Sequence, residues 1–276
     1  MTAPVESVES VEYAARHARA AQTFEVFVPG VDPDRVSASF ARRLGALGGY
    51  AFDVVGEMWA RPELSRRDRS LVVVSTLAAQ ARDDELEIHT EIGIRNGLTR
   101  SETEEIVVTV AGYAGFPAAM AASRHVDAAL REVEGVERLD GRSGPAAKSD
   151  AERDRDAADV FRAISGGRGG DDPAADLAGL TKALGDLGVL VYRWGFGELW
   201  ARTELSRRDR SLSVISILTA LGTVAELAVH VPTGLRNGLT RVEIEAAITH
   251  LALYAGFPHA VEAMRAARAA FAKLDA

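Results

Sequence analysis

The sequence predicts an all-α protein made of two tandem helical domains related by pseudo-two-fold symmetry. Three observations predict it. Gly56–Arg124 aligns without a gap onto Gly197–Arg265, and 39 of the 69 positions are identical. Helix-start and helix-stop signals recur at the same places in both copies, and no stretch alternates apolar and polar residues as a half-buried strand would. A chain of 276 residues that is 47% hydrophobic and 26% charged has material for two globular cores. The period is too long for a solenoid, so the repeat is a duplicated domain. The expected division is residues 1–134, a linker with a short helix over 135–173, and residues 174–276.

The elements follow in order. A first helix is expected around Val11–Phe24, and Ser149–Ile164 is its charged counterpart before the second copy. Asp32–Val55 and Asp172–Phe196 match more loosely. Ser65 and Ser206 suit N-caps, with Asp68 and Asp209 three residues on. Mainly apolar helices follow, from Arg66 to about Gln80 and from Arg207 to about Leu221. The next helices stop at Asn96–Gly97 and Asn237–Gly238, which readily take a left-handed cap. Thr99 with Glu102, and Thr240 with Glu243, are capping boxes. The helices they open are expected to run to Ala-Gly-Phe-Pro, where Gly115 and Gly256 end them. Pro117 and Pro258 then sit in the first turn of the last helices. Gly135–Pro145 and Ser165–Pro173 read as loops. Gly166–Gly170 is not a phosphate loop, because it follows no strand and lacks the Lys-Ser/Thr ending.

Composition excludes several function classes. The 40 acidic residues exceed the 32 basic ones, giving −8, which argues against nucleic acid and anionic membrane as partners. There is no cysteine, so disulfides, thiolate catalysis and iron–sulfur clusters are out. No apolar run has the length of a membrane span. Met1–Tyr13 lacks the basic-then-apolar order of a secretory signal, so the cytoplasm is the expected compartment.

The residues that could carry chemistry recur in pairs. Glu85 and His89 share a helix face, as do Glu226 and His230. A carboxylate beside an imidazole can orient the ring and raise its pKa, giving a proton carrier near neutral pH. The alternative is a structural contact. Two such residues are too few for a metal site, so none is expected. Arg69 and Arg210 lie early in apolar helices and suit either an anionic substrate group or an internal pair with Glu57, Glu63 or their counterparts. Trp59 and Trp200 could wall a pocket or fill a core, and Tyr113 and Tyr254 could donate from the phenol. His250 stands where the first copy has Thr109, which places more imidazoles in the second copy and makes it the favoured active one.

The blocks Gly197-Glu-Leu-Trp-Ala-Arg-Thr-Glu-Leu-Ser-Arg-Arg-Asp-Arg-Ser-Leu212, Glu226–His230, Arg236–Thr240 and His250–Pro258 resemble the carboxymuconolactone decarboxylase family of the alkylhydroperoxidase-like superfamily. The first copy carries the same blocks from Gly56 to Pro117. The resemblance implies an all-α alkylhydroperoxidase-like fold for each copy. It also implies a ring of domains, commonly six, hence a homo-oligomer with three chains favoured and two as the alternative. Thiol peroxidases of the superfamily place a Cys-x-x-Cys pair before the helix histidine. Arg82 and Glu85, or Thr223 and Glu226, stand there instead, which excludes that chemistry.

What remains resembles the cysteine-free branch. That implies a cofactor-free lyase that decarboxylates a small or medium unsaturated lactone or carbonyl acid through an enolate. His230 or His89 would be the acid, held by Glu226 or Glu85. Arg210, Arg69, Trp200, Trp59, His250, Tyr254 and Tyr113 would bind substrate. The decarboxylases tend to carry Arg two residues after the helix histidine, where Glu91 and Pro232 stand here. Isomerase, dehydratase or hydrolase chemistry on a biosynthetic carbonyl intermediate is therefore an alternative. A non-catalytic oligomeric binding protein is another.

Overall fold

The computed structural model describes residues 8–135, 147–167 and 169–276, and among them every regular element is helical. The loop expected over 135–145 lies, after Gly135, outside the described residues. Two compact units form, Met1–Arg66 and Arg67–Ala276.

The first unit holds α1 (Val8–Phe27), α2 (Pro33–Leu44) and α3 (Ala46–Trp59). Asp32 caps α2 by accepting from the Asp34 N–H, and Pro33 occupies the first turn, where no N–H is needed. α1 and α2 both pack on α3. Their core is Ala20, Phe24, Val36 and Phe52, with Phe24 stacked on Phe52 at 4.8 Å and 7°. α1 and α3 touch closely because position 56 is glycine: a Cβ there would lie 2.3 Å from Ala20 Cα.

The second unit contains α4 (Arg66–Ala79, from Arg67 on), α5 (Asp83–Arg95), α6 (Arg100–Tyr113), α7 (Phe116–Glu134), α8 (Asp150–Ser165), α9 (Pro173–Leu184) and α10 (Asp186–Leu190). α10 runs into a π-helix, Val191–Trp200. α11 (Arg207–Leu221), α12 (Val224–Arg236), α13 (Arg241–Leu251) and α14 (Phe257–Asp275) follow. α4 and α11 are buried almost throughout, polar Asp68, Arg69, Asp209 and Arg210 included. They meet through the Ser75 and Ser213 hydroxyls at 2.8 Å. Reciprocal ion pairs join Arg67 to Asp209 at 2.9 Å and Arg208 to Asp68 at 2.8 Å. Arg67 also binds Glu102, and Arg208 binds Glu243, so each arginine ties the paired helices to a capping-box glutamate.

The expected capping boxes at Thr99 and Thr240 form, and Ser149 with Glu152 makes a third. One pair of helix ends differs from expectation. α6 reaches Tyr113, but α13 stops at Leu251, and tight turns carry the chain past Tyr254. The His250 carbonyl accepts from the Leu253 N–H at 3.2 Å there. Gly115 and Gly256, with φ of 90° and 88°, begin the last helices rather than end the previous ones. No helix among the described residues is long and apolar enough to cross a membrane.

Candidate active site

The histidine of one repeat meets the tyrosine of the other. Tyr113, at the end of α6, lies edge-on to His230 of α12 at 5.2 Å and 80°. Tyr254 lies edge-on to His89 of α5 at 5.3 Å and 85°. Along the chain, the nearer histidine to each tyrosine is that of its own repeat, His89 before Tyr113 and His230 before Tyr254. Packing of α6 against α11 and the π-helix crosses them over.

Around His230 the crossing builds a cavity of about 1020 Å³, lined among others by Tyr113, Trp200, Glu226, Thr233 and Arg236. Trp200 lies nearly parallel to the His230 ring, with centroids 6.1 Å apart and planes at 14°. Its indole N–H donates to the Tyr113 oxygen at 2.9 Å. Burial raises the Tyr113 phenol well above its usual range, and the Glu226 charge adds to this. The Trp200 bond and the Arg210 charge pull the other way without reversing it. Tyr113 is therefore a neutral O–H donor at neutral pH.

His230 departs from the proton carrier expected near neutrality. Burial lowers it from 6.5 to about 4, and it lowers His89 to about 4 as well. Nδ1 of His230 is buried with no hydrogen-bond partner among the described residues. Glu226 is exposed at the cavity and does not bond the ring. Glu85 is likewise exposed on α5. Desolvation of the imidazole thus outweighs the carboxylate four residues away. Pro232, one turn from Ala228 on α12, supplies no N–H to the Ala228 carbonyl, and both residues line the cavity.

Arg210 is fully buried, and its partner is not among those expected. One amino group donates to Glu105 Oε2 at 3.0 Å and to the Arg202 carbonyl at 3.3 Å, and the other to Thr109 Oγ1 at 3.1 Å. Glu105 is also held by Arg202 at 2.7 and 2.9 Å. Glu198 pairs with Arg153 instead, and Glu204 with Arg202. Arg210 is thus an internal ion-pair member adjoining Tyr113 rather than a cavity wall. Among the described residues, the cation that lines the cavity is Arg236.

The other half is built differently at the same positions. Ala246 stands where Glu105 would, and His250 where Thr109 would. Arg69 Nη1 lies 3.3 Å from His250 Nδ1. A guanidinium only donates, so Nδ1 accepts and the imidazole proton sits on Nε2. Complete burial, then the charges of Arg69 and His89, hold His250 well below 6.5. His250 therefore stands with His89 and Tyr254, not with His230, and does not enrich the second copy's site as expected. Trp59 ends α3 in the first unit, buried and edge-on to Phe27 at 4.8 Å. Among the described residues no group of three acidic or imidazole side chains is placed to hold a metal ion.

Sequence reasoning did not single out Glu105, Thr109 or Arg236. An acid at 105 facing alanine at 246 was the available signal, since a buried arginine needs one.

The sequence profile of the carboxymuconolactone decarboxylase family matches this chain twice, at residues 46–128 and 186–269. A 4-carboxymuconolactone decarboxylase of Acinetobacter baylyi is 39% identical over 89 residues, which is 32% of this chain and 66% of that protein. A nitrosuccinic acid decarboxylase of Metarhizium robertsii is 36% identical over 75 residues, 27% of this chain and 52% of its own length. The chain thus spans about half to two thirds of the curated relatives it matches. Because the two profile matches together take in well over half of the sequence, this chain belongs to the carboxymuconolactone decarboxylase family, with two family domains in tandem.

Proposed function

We propose that the His230 site removes CO₂ from a carboxylic acid whose breaking C–C bond can pass its electron pair to a carbonyl, lactone or nitro group. The meeting of His230, Tyr113 and Trp200 on one cavity carries this reading. The two similar relatives, both named decarboxylases, support it.

In this reading Arg236, on the wall beside Thr233, draws in the carboxylate. The C–C bond breaks, CO₂ leaves, and the electron pair moves onto the acceptor oxygen. The Tyr113 O–H donates to that oxyanion, and the Trp200 N–H on the phenol oxygen fixes its direction. His230 returns one proton to carbon, so one proton is consumed per CO₂ released. In the empty cavity the imidazole is neutral. An arriving carboxylate raises its pKa, so the proton delivered is taken up with the substrate. Glu226, exposed at the cavity, stands on the path by which that proton enters from solvent as the substrate binds. The substrate's own acceptor holds the electrons, so the step needs no cofactor. Glu85, His89 and Tyr254 take the corresponding roles in the other half, where Arg69 and His250 position Tyr254, as Arg210 positions Tyr113.

The experiment is CO₂ release from nitrosuccinic acid, 4-carboxymuconolactone and larger unsaturated oxo acids. One CO₂ per substrate consumed, abolished in His230→Gln, is expected. Conversion with the carbon count retained would turn the reading to an isomerase or dehydratase.

The proposal includes self-assembly, with three chains per ring favoured. The equivalent residues Phe116 and Phe257 are 73% and 61% exposed, and Met120 and Val261 continue the apolar surface one turn on.

A further inference from the structure

The two repeats differ in length by one residue in the helices that end at Trp59 and Trp200. Gly45 and Gly185 begin these helices with nearly the same backbone, φ and ψ of 58° and −130° against 62° and −141°. Gly48 and Gly188 then press on equivalent carbonyls, those of Phe40 and Leu180. Gly56 comes eight residues after Gly48, but Gly197 comes nine after Gly188. The extra residue therefore falls between Gly188 and Gly197. In the first repeat this stretch is α-helix to Trp59, and in the second it is the π-helix Val191–Trp200. A π turn closes on the fifth residue rather than the fourth, so it absorbs one added residue without breaking the helix.

The widened stretch faces the cavity. Val191, Gly195, Phe196, Leu199 and Trp200 all line it. Phe161 of α8 stacks on Phe196 at 5.5 Å and 24° and lines it too. A Cβ built on Gly195 would touch only Val191 Cγ1, at 3.9 Å, so this wall has open space in front of it. The 1020 Å³ cavity lies just above the roughly 300–1,000 Å³ that holds a drug-sized ligand. The polar group around His230 and Arg236 occupies only part of this lining. Most of the rest is aromatic and aliphatic.

We propose that the His230 site takes a carboxylic acid with a bulky aryl body, the body seated against Phe161, Phe196 and Leu199 and the acid end at His230 and Arg236. The residue added between Gly188 and Gly197 opens the room for that body. This rests on the decarboxylase reading for what happens at the acid end, but not for binding. An added aromatic ring buries apolar area that a monocyclic acid lacks, and the stacked Phe161–Phe196 pair supplies an aromatic wall for it.

Equilibrium binding of 2-naphthoate and fumarate to the full chain, read by Trp fluorescence and calorimetry, tests the proposal. Naphthoate is expected to bind about tenfold or more tighter than fumarate, from the area its rings bury. Gly195→Leu fills the open wall and is expected to remove that preference without lowering the melting temperature. Phe161→Ala is expected to weaken naphthoate by about fivefold to tenfold through lost ring contact. Equal affinities for the two acids, or a preference that survives Gly195→Leu, overturn the proposal. The binding test measures no CO₂, so the outcomes separate: naphthoate preference in a chain that releases no CO₂ from the acids named under the proposed function would sink the reaction and keep the pocket. Turnover of small acids only would do the reverse.

Discussion

The indole N–H of Trp200 donates to the phenol oxygen of Tyr113 at 2.9 Å, joining a side chain of the second repeat to one of the first. The bond occupies an acceptor site on the phenol and leaves its hydrogen free to turn to a ligand. Tyr113→Phe keeps the ring and removes that donor. Its expected cost is about 10²–10³ in the rate of CO₂ release, the usual loss for one oxyanion donor. Trp200→Phe keeps Tyr113 but releases its direction, and about a tenfold loss is expected. Initial rates of CO₂ release check both, and a Tyr113→Phe enzyme of full activity would remove the phenol from the chemistry.

Both His89 and His230 are held near 4 in the folded chain against 6.5 when unfolded. The unfolded chain binds more protons between these values, so stability is complete above about pH 6.5 and falls as pH drops toward 4. Each imidazole contributes roughly 3 kcal/mol to that fall. Urea unfolding at pH 7 and pH 4.5 is expected to show the loss, and His89→Gln with His230→Gln to flatten it.

Uptake of a proton with the substrate has its own signature. Naphthoate binding measured calorimetrically in buffers of different ionisation enthalpy is expected to take up a fraction of a proton near pH 6 in the parent chain. His230→Gln is expected to abolish the uptake. Binding with no buffer dependence in the parent would show that the imidazole stays neutral.

Glu105 is the acid that neutralises Arg210, with Arg202 on its other side. Glu105→Ala leaves a buried guanidinium without its counter-charge, and about 3–5 kcal/mol of stability is expected to go. Replacing both partners, Arg210→Met with Glu105→Leu, is expected to recover much of it. Chemical denaturation of the two variants decides whether the pair is needed for stability or for specificity.

Phe116 and Phe257 begin α7 and α14 and stand exposed in the single chain. Phe116→Ser with Phe257→Ser is expected to lower the assembled mass in light scattering at micromolar concentration and leave the helical circular dichroism unchanged. An unaltered mass would place the contact elsewhere.

Much of the helical frame was legible because its signals are local. Thr99 with Glu102 and Thr240 with Glu243 form the boxes their spacing announces, and Ser149–Ile164 is helical to within a residue at each end. The crossing of Tyr113 to His230 was not legible, because near-identical repeats carry the same residues and nothing local says which tyrosine meets which histidine. The π-helix left only a one-residue misfit between Gly185 and Gly197, a trace that loose alignment hides. The imidazole pKa values were misjudged because spacing shows a carboxylate four residues away but not the depth at which the ring is set.

Each pocket wall here is written twice in one gene, and the two copies no longer agree: Glu105 faces Ala246 in register, and Thr109 faces His250. In an assembly of identical single-domain subunits, any mutation strikes every site at once. Tethering the partners lifts that constraint. One site can then drift toward a new ligand while its twin keeps the old task, which makes this chain a natural setting for divergence within a single molecule.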